Sequence, residues 1–209
     1  MTARTTNTRL AIALLLLWIA GSACGDPRAQ PALAAMADHR PTHVDSVFPI
    51  AEEIRRFRAA IPDSVDGLAG AAPSRDELVA RFLTALEAGD RAALNALAIT
   101  VAEFAYLYYP HTRFTRPPYE LSPALVWFQV DTYGSRGLDR VMTRLGGKAI
   151  RTDGYVCPPE PEVEGENRTW NGCLVRHRDD AGRIAELSLF GPILERGGRF
   201  KFVSYANTL

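Results

Sequence analysis

The chain has 209 residues, 47% of them apolar, and its 24 lysines and arginines balance its 24 aspartates and glutamates. That balance gives no electrostatic case for nucleic acid as a partner. The apolar fraction is that of a globular protein, and after the first residues no further apolar run of spanning length and no internal repeat occurs.

Arg4 and Arg9 provide a positive start with no acidic residue before Asp26, and Leu10 to Ala20 is an apolar run followed by small residues. The run is shorter than the ~20 residues needed to cross a bilayer, so residues 1–23 read as a secretory signal. Gly21-Ser22-Ala23-Cys24 resembles the bacterial lipobox, in which the cysteine is lipidated and becomes the mature N-terminus; Gly21 departs from the branched apolar residue usual there. Cleavage after Ala23 by an ordinary signal peptidase is the alternative. The chain has three cysteines, and lipidating Cys24 leaves Cys157 and Cys173 as a pair suited to an oxidising compartment. A disulfide between them would close a ring of about 17 residues, contributing about 3 kcal/mol in the loop-entropy description. The expected location is the cell envelope, on a membrane through the lipid anchor, or soluble outside the cytoplasm if the anchor is missing.

Without the signal, about 186 residues remain, with a net charge of about −2. Residues 24–45 are rich in Ala, Pro and Arg without periodicity and read as a tether. His39 and His43 lie four apart, but Pro41 between them argues against the helix that a metal pair would need. Within 46–73, Ile50, Ile54, Phe57 and Ile61 recur at helical spacing between charged residues, which predicts an amphipathic helix opened by Pro49 and closed before Pro62. It suits docking on the main domain, a partner, or a headgroup region. Asp63 to Pro73 reads as a second linker.

The main domain is expected over 74–209. Ser74 and Glu77 form a capping box before a helix with Leu78, Phe82, Leu83 and Leu86 on one face, ended by Gly89. Asp90 caps a short helix, and Thr100 with Glu103 opens another that stops before Pro110. Ser122 and Pro123 start a longer helical region to Leu145, with a break expected at Gly134 and a stop at Gly146-Gly147. From residue 149 the period changes to two, and strands are expected near 149–157, 170–178, 183–190 and 199–206. Asp179 to Gly182 and Gly197-Gly198 mark hairpin turns, and Gly191-Pro192 marks a bulge or break. These readings give an α+β class: N-terminal helices packed on a curved four-stranded antiparallel meander.

The segment SRDELVARFLTALEAGDRAALNAL, a long helix after it, and a final GRFKFVSYAN together resemble the NTF2-like family, whose curved sheet wraps a long helix into a cone. The resemblance covers 74–209 in outline; His111 to Leu121, which is Pro-rich and reads as irregular loop, departs from the small hairpin that the family has there. It implies either a pocket, as in the isomerases, cyclases and dehydratases of that family, or a non-catalytic binding or assembly module, and fold alone does not choose.

No G-x-S-x-G, P-loop, G-x-G-x-x-G or H-E-x-x-H motif occurs, and no cofactor or metal is expected. The one concentration of aromatic and polar groups is Tyr106, Tyr108, Tyr109, His111 and Arg113, followed by Trp127 and Asp131. These residue types suit the wall of an apolar pocket, and they suit a helix packed under a sheet equally. As a binding site they would hold a small apolar ligand; as an active site His111 or Asp131 would be the base and Tyr106 or Tyr108 the donor to an oxyanion. Glu103 is accounted for as a cap, and Arg176 and His177 as a solvated strand end. Glu160, Glu162, Glu164 and Glu166 read as a solvated acidic loop, and Asn167-Arg168-Thr169 is formally a glycosylation sequon. The leading expectation is a membrane-tethered, non-catalytic module for a small ligand or an envelope protein. An envelope enzyme of isomerase or cyclase type and a homodimeric assembly module are its rivals.

Overall fold

In the computed structural model the chain divides into two units, Met1–Ser46 and Val47–Leu209, and the structure describes residues 48–179 and 181–209. The signal, Cys24, the tether, His39 and His43 lie outside the described residues. The second unit is α+β, with its helices preceding two antiparallel sheets, neither closed into a barrel.

Helix α1 (Ile50–Ala59) has Pro49 at its start and Glu52 in its first turn, where Arg55 and Arg56 hold the carboxyl down to about 2. Ile54 and Phe57 pack into the core, and the Arg58 guanidinium donates twice to the Ala105 carbonyl, at 3.0 and 3.1 Å. The helix therefore spends its apolar face on the domain. The stretch read as a second linker is also part of the fold: Leu68, Ala71 and Ala72 are buried, and Ala72 exchanges both backbone hydrogen bonds with Phe200. Its glycines and alanines hide their packing role because small residues signal a loop in sequence.

Helices α2 (Arg75–Glu87) and α3 (Arg91–Ala96) start where Ser74 and Asp90 accept the N–H groups of Glu77 and Ala93. Thr100 and Glu103 form the expected capping box for α4 (Val101–Glu103). Beyond it the chain widens into a π-helical turn, Phe104–Tyr108, closed by the Tyr109 N–H on the Phe104 carbonyl. Pro110 lacks the N–H that would continue an α-helix. The wider winding also stacks residues five apart, bringing the buried Phe104 and Tyr109 rings to 5.5 Å. Two short 3₁₀ turns, Tyr109–His111 and Arg113–Thr115, lead on towards α5 (Pro123–Leu145).

Helix α5 runs unbroken through Gly134 and Gly137. These glycines permit close approach instead of a break: a Cβ on Gly137 would lie 1.7 Å from the Tyr205 carbonyl oxygen, and one on Gly134 would lie 3.2 Å from the Ser204 Cβ. The helix stays regular because its backbone bonds are intact; only the missing side chains matter.

The strands are β1 (Thr152–Val156), β2 (Glu162–Glu164), β3 (Asn167–Trp170), β4 (Leu174–Arg178), β5 (Ile184–Leu187), β6 (Ile193–Arg196) and β7 (Arg199–Phe202). They form one sheet of order β1-β4-β5 and another of order β2-β3-β6-β7, all antiparallel. The expected single meander is thus split. Gly191-Pro192 lies where the chain leaves the first sheet for the second, and Gly197-Gly198, both at positive φ, make the β6–β7 turn. Cys157 and Cys173 are disulfide-bonded. The ring they close contains the β2–β3 hairpin, which sequence reads as an acidic loop because its outward residues are charged, as edge strands often are.

Two clusters form the core. Phe82, Leu138, Val141, Phe190, Phe202 and Tyr205 centre the larger; Phe104, Leu107, Tyr109, Val126, Leu194 and Val203 form the smaller. Gly137→Ala should lower stability by about 3 kcal/mol through overpacking, whereas the same change in an exposed helix would raise it by up to about 1 kcal/mol. Urea unfolding of the variant checks the sign.

Candidate functional site

Tyr106, Tyr108, Tyr109, His111 and Arg113 each make contacts within the fold. The Tyr109 ring is in the core, its hydroxyl donates to the Leu121 carbonyl, and burial, with Glu53 adding to it, pushes its pKa up to about 12. Tyr106 lies under the Arg58 guanidinium, 4.6 Å from ring centre to Cζ. Tyr108 is half-buried, and burial followed by the charges of Glu164 and Glu162 raises its phenol to about 12. His111 sits beneath the β2–β3 turn, where a Cβ on Gly165 would come within 2.4 Å of its Nδ1. The Arg113 N–H donates to Glu164 at 2.6 Å, and the Arg113 guanidinium faces Phe114 and Tyr119.

This cluster is where the hairpin is fastened to the π turn. Asn167 Nδ2 donates to the Leu107 carbonyl at 2.9 Å, and Arg196 Nη1 reaches the same carbonyl at 3.3 Å. A π turn followed by proline leaves carbonyls without helical donors, and the sheet supplies them. Asn167 is buried, so its amide is structural. The acidic run is likewise tied down: Glu162 accepts from Asn171, Glu164 from Arg113, and Glu166 pairs with Arg196.

Glu103 does more than cap. It is buried with Lys201, whose ammonium donates to both carboxylate oxygens at 3.0 and 2.9 Å, while the N–H groups of Ala69 and Thr100 donate at 2.7 and 2.8 Å. With all of these donors in place the carboxylate is saturated and serves structure. Nothing in sequence marks the pair, because Lys201 alternates into a strand that reads as ordinary.

Trp127 and Asp131 are the two candidates that the structure does bring together. They line a groove of about 370 Å³ between α5 and residues 95–101, floored by residues 203–205. Ile99, Val101, Val130, Leu138 and Val203 form its apolar wall, and Asn95, Thr100, Asp131, Ser135 and Ser204 give it polar groups. The volume is that of a small-ligand site. Tyr205 also lines it, but its hydroxyl donates to the Leu94 carbonyl, and burial pushes its pKa well above the usual phenol range. That hydroxyl is therefore committed to the fold and is not the polarised donor an oxyanion would need. Asn95, Thr100, Ser135 and Ser204 escape the sequence reading. For Ser135 a signal exists: Trp127, Asp131, Ser135 and Leu138 recur at helical spacing on one face of α5.

A wider depression between α2 and α3 has alanine at half of its lining positions, and its Arg81 is paired with Glu77. Among the described residues no group of three or more His, Cys, Asp or Glu is placed to hold a metal, and no helix is long and apolar enough to cross a membrane.

Lys201→Met should cost about 3–5 kcal/mol, since it strands the Glu103 charge in the interior. Adding Glu103→Gln should recover part of that loss, as denaturant titration of the single and double variants will show.

No protein-family model, curated protein or solved structure matches the chain.

Proposed function

We propose that the protein is an exported, lipid-anchored envelope module without catalysis, whose groove beside α5 holds a small ligand with an apolar body and a cationic or hydrogen-bond-donating head. The groove itself carries this reading. Its wall is aliphatic with one indole, and its single carboxylate, Asp131, sits four residues from Trp127 on the same helix face. An ammonium head would meet the carboxylate and the face of the indole together. Export is supported by the signal-like N-terminus and by the Cys157–Cys173 disulfide, a bond characteristic of oxidising compartments. The order of elements, helices and then antiparallel strands, is what the chain shares with the NTF2-like fold, from which the split into two sheets is a departure.

Native mass spectrometry of the mature protein from an export-competent host tests for a retained ligand. A dodecyltrimethylammonium probe, followed by calorimetry, tests the head-group reading. Asp131→Asn and Trp127→Ala should each weaken the probe about tenfold; equal affinity in wild type and both variants would remove the groove from consideration. Replacing Cys24 with Ser should move the mature protein from the membrane fraction to the soluble one, and unchanged retention would refute the acyl anchor.

A further inference from the structure

The outer edges of the two sheets are β1 and β5 in one and β2 and β7 in the other. An open edge presents unpaired backbone groups to any extended chain that reaches it, and bulges, prolines and charges are the usual devices that prevent such pairing. All but one of these edges are closed or blunted. Ala72 and Ala98 bridge to β7, the pairing of β1 shifts register between Thr152 and Tyr155, and β2 follows Pro161 and carries Glu162 and Glu164 on either side of Val163. The exception is β5, which has no proline and pairs with β4 in unbroken register from Arg178↔Ile184 to Val175↔Leu187.

Antiparallel strands alternate bonded and non-bonded pairs, which identifies the groups left free on this edge. The Asp179 N–H donates to the Arg183 carbonyl at 2.9 Å, so the bonded pairs that follow are His177 with Ala185 and Val175 with Leu187. The Arg178 N–H agrees with this phase, since it turns away from β5 and donates to the Arg151 carbonyl at 2.8 Å. The N–H and C=O groups of Ile184 and Glu186 therefore face outward, and among the described residues no hydrogen bond meets them from that side. Ile184 is 52% exposed, and Ala185 and Glu186 are exposed beside it. Ala185 points to the side of the sheet on which Leu187 packs against the core, so its exposure shows that the edge is open on that side as well.

We propose that β5 pairs with β5 of a second copy of this chain, antiparallel about a twofold axis at Ala185, so that the three-stranded sheets of the two copies become one continuous sheet. In this register Ile184 exchanges both backbone bonds with the partner's Glu186, Glu186 does the same with the partner's Ile184, and the small Ala185 faces its own counterpart. The edge is complementary to itself in charge. Glu186 is paired with Arg176 of its own chain at 3.3 Å, and the partner's Ile184 would lie along its aliphatic stem. Each row across the joint then reads Arg176 and Glu186 of one copy followed by Ile184 and Arg178 of the other, with no like charges side by side. A register centred on Glu186 would set two carboxylates opposite each other, and one centred on Ile184 would place Glu186 against Gly182 in the hairpin turn. A joint of this size belongs with small, transient interfaces. It is independent of whatever the groove beside α5 holds.

The test uses the mature chain carrying Cys24→Ser, in oxidised form, over a concentration series up to ~1 mM. Sedimentation equilibrium should show a reversible dimer, and amide exchange followed by NMR should show protection of the Ile184 and Glu186 N–H groups that rises with concentration, while the Ala185 N–H, already bonded to β4, does not change. Glu186→Pro removes an outward N–H and leaves the bonds to β4 in place, and should weaken association about tenfold. Glu186→Ala loses the same carboxylate but keeps the N–H, and should dimerise within about threefold of wild type. Circular dichroism verifies that the proline variant folds; should it not, the exchange of the wild-type amides decides alone. A monomer at every concentration overturns the proposal, as does association that leaves both amides unprotected or is unchanged in a folded Glu186→Pro. Protection that does not depend on concentration would mean that another occupant holds the edge, and would overturn self-pairing as well.

Discussion

The fold of the second unit depends on one buried charge. Glu103 stands at the junction of the segment before α2, the start of α4 and strand β7, and each of these directs a donor at it: the Ala69 N–H, the Thr100 N–H and the Lys201 ammonium. A carboxylate in a protein interior is tolerated only when its lone pairs are answered and a counter-charge is near. Meeting that condition forces three distant parts of the chain into one arrangement. The Ala72–Phe200 exchange and the Ile99 N–H on the Phe202 carbonyl then continue the same alignment along β7. With β7 fixed, residues 203–205 follow it to the floor of the groove, against which Gly134 and Gly137 allow α5 to lie closely.

Two depressions border α5, the groove along residues 127–138 and a smaller one at the helix end lined by Arg144, Lys148 and residues 177–179, and they differ in character for local reasons. Near its N-terminal half the helix faces small and aliphatic groups across the groove, so a single carboxylate dominates the chemistry there. Near its C-terminus the helix carries Arg144 and is followed by Lys148, and the strand edge beside it adds further cations.

How far the sequence disclosed all this varies with the range of the interactions. Elements set by local chemistry were legible: the caps at Ser74, Asp90, Thr100 and Ser122, the amphipathic α1, the Gly197-Gly198 turn and the cysteine pair. Elements set by distant partners were not. The hairpin β2–β3 looks like solvated acid until Arg113, Asn171 and Arg196 are placed around it, and Gly134 and Gly137 look like breakers until Tyr205 is placed against them. The aromatic cluster is ambiguous in sequence for a related reason. Tyr, His and Arg after a π turn serve to satisfy carbonyls and fill a core as readily as to bind a ligand, and only Trp127 and Asp131, on a regular helix, reached a groove.

The disulfide has a mechanical consequence. Cys157 and Cys173 flank Val156 and Leu174, which pair within the three-stranded sheet, while the middle of the ring they close is strands β2 and β3 of the four-stranded one. The ring is therefore a clasp passed from one sheet into the other. The disulfide holds β1 and β4 together at the points where the chain leaves for the second sheet and returns from it.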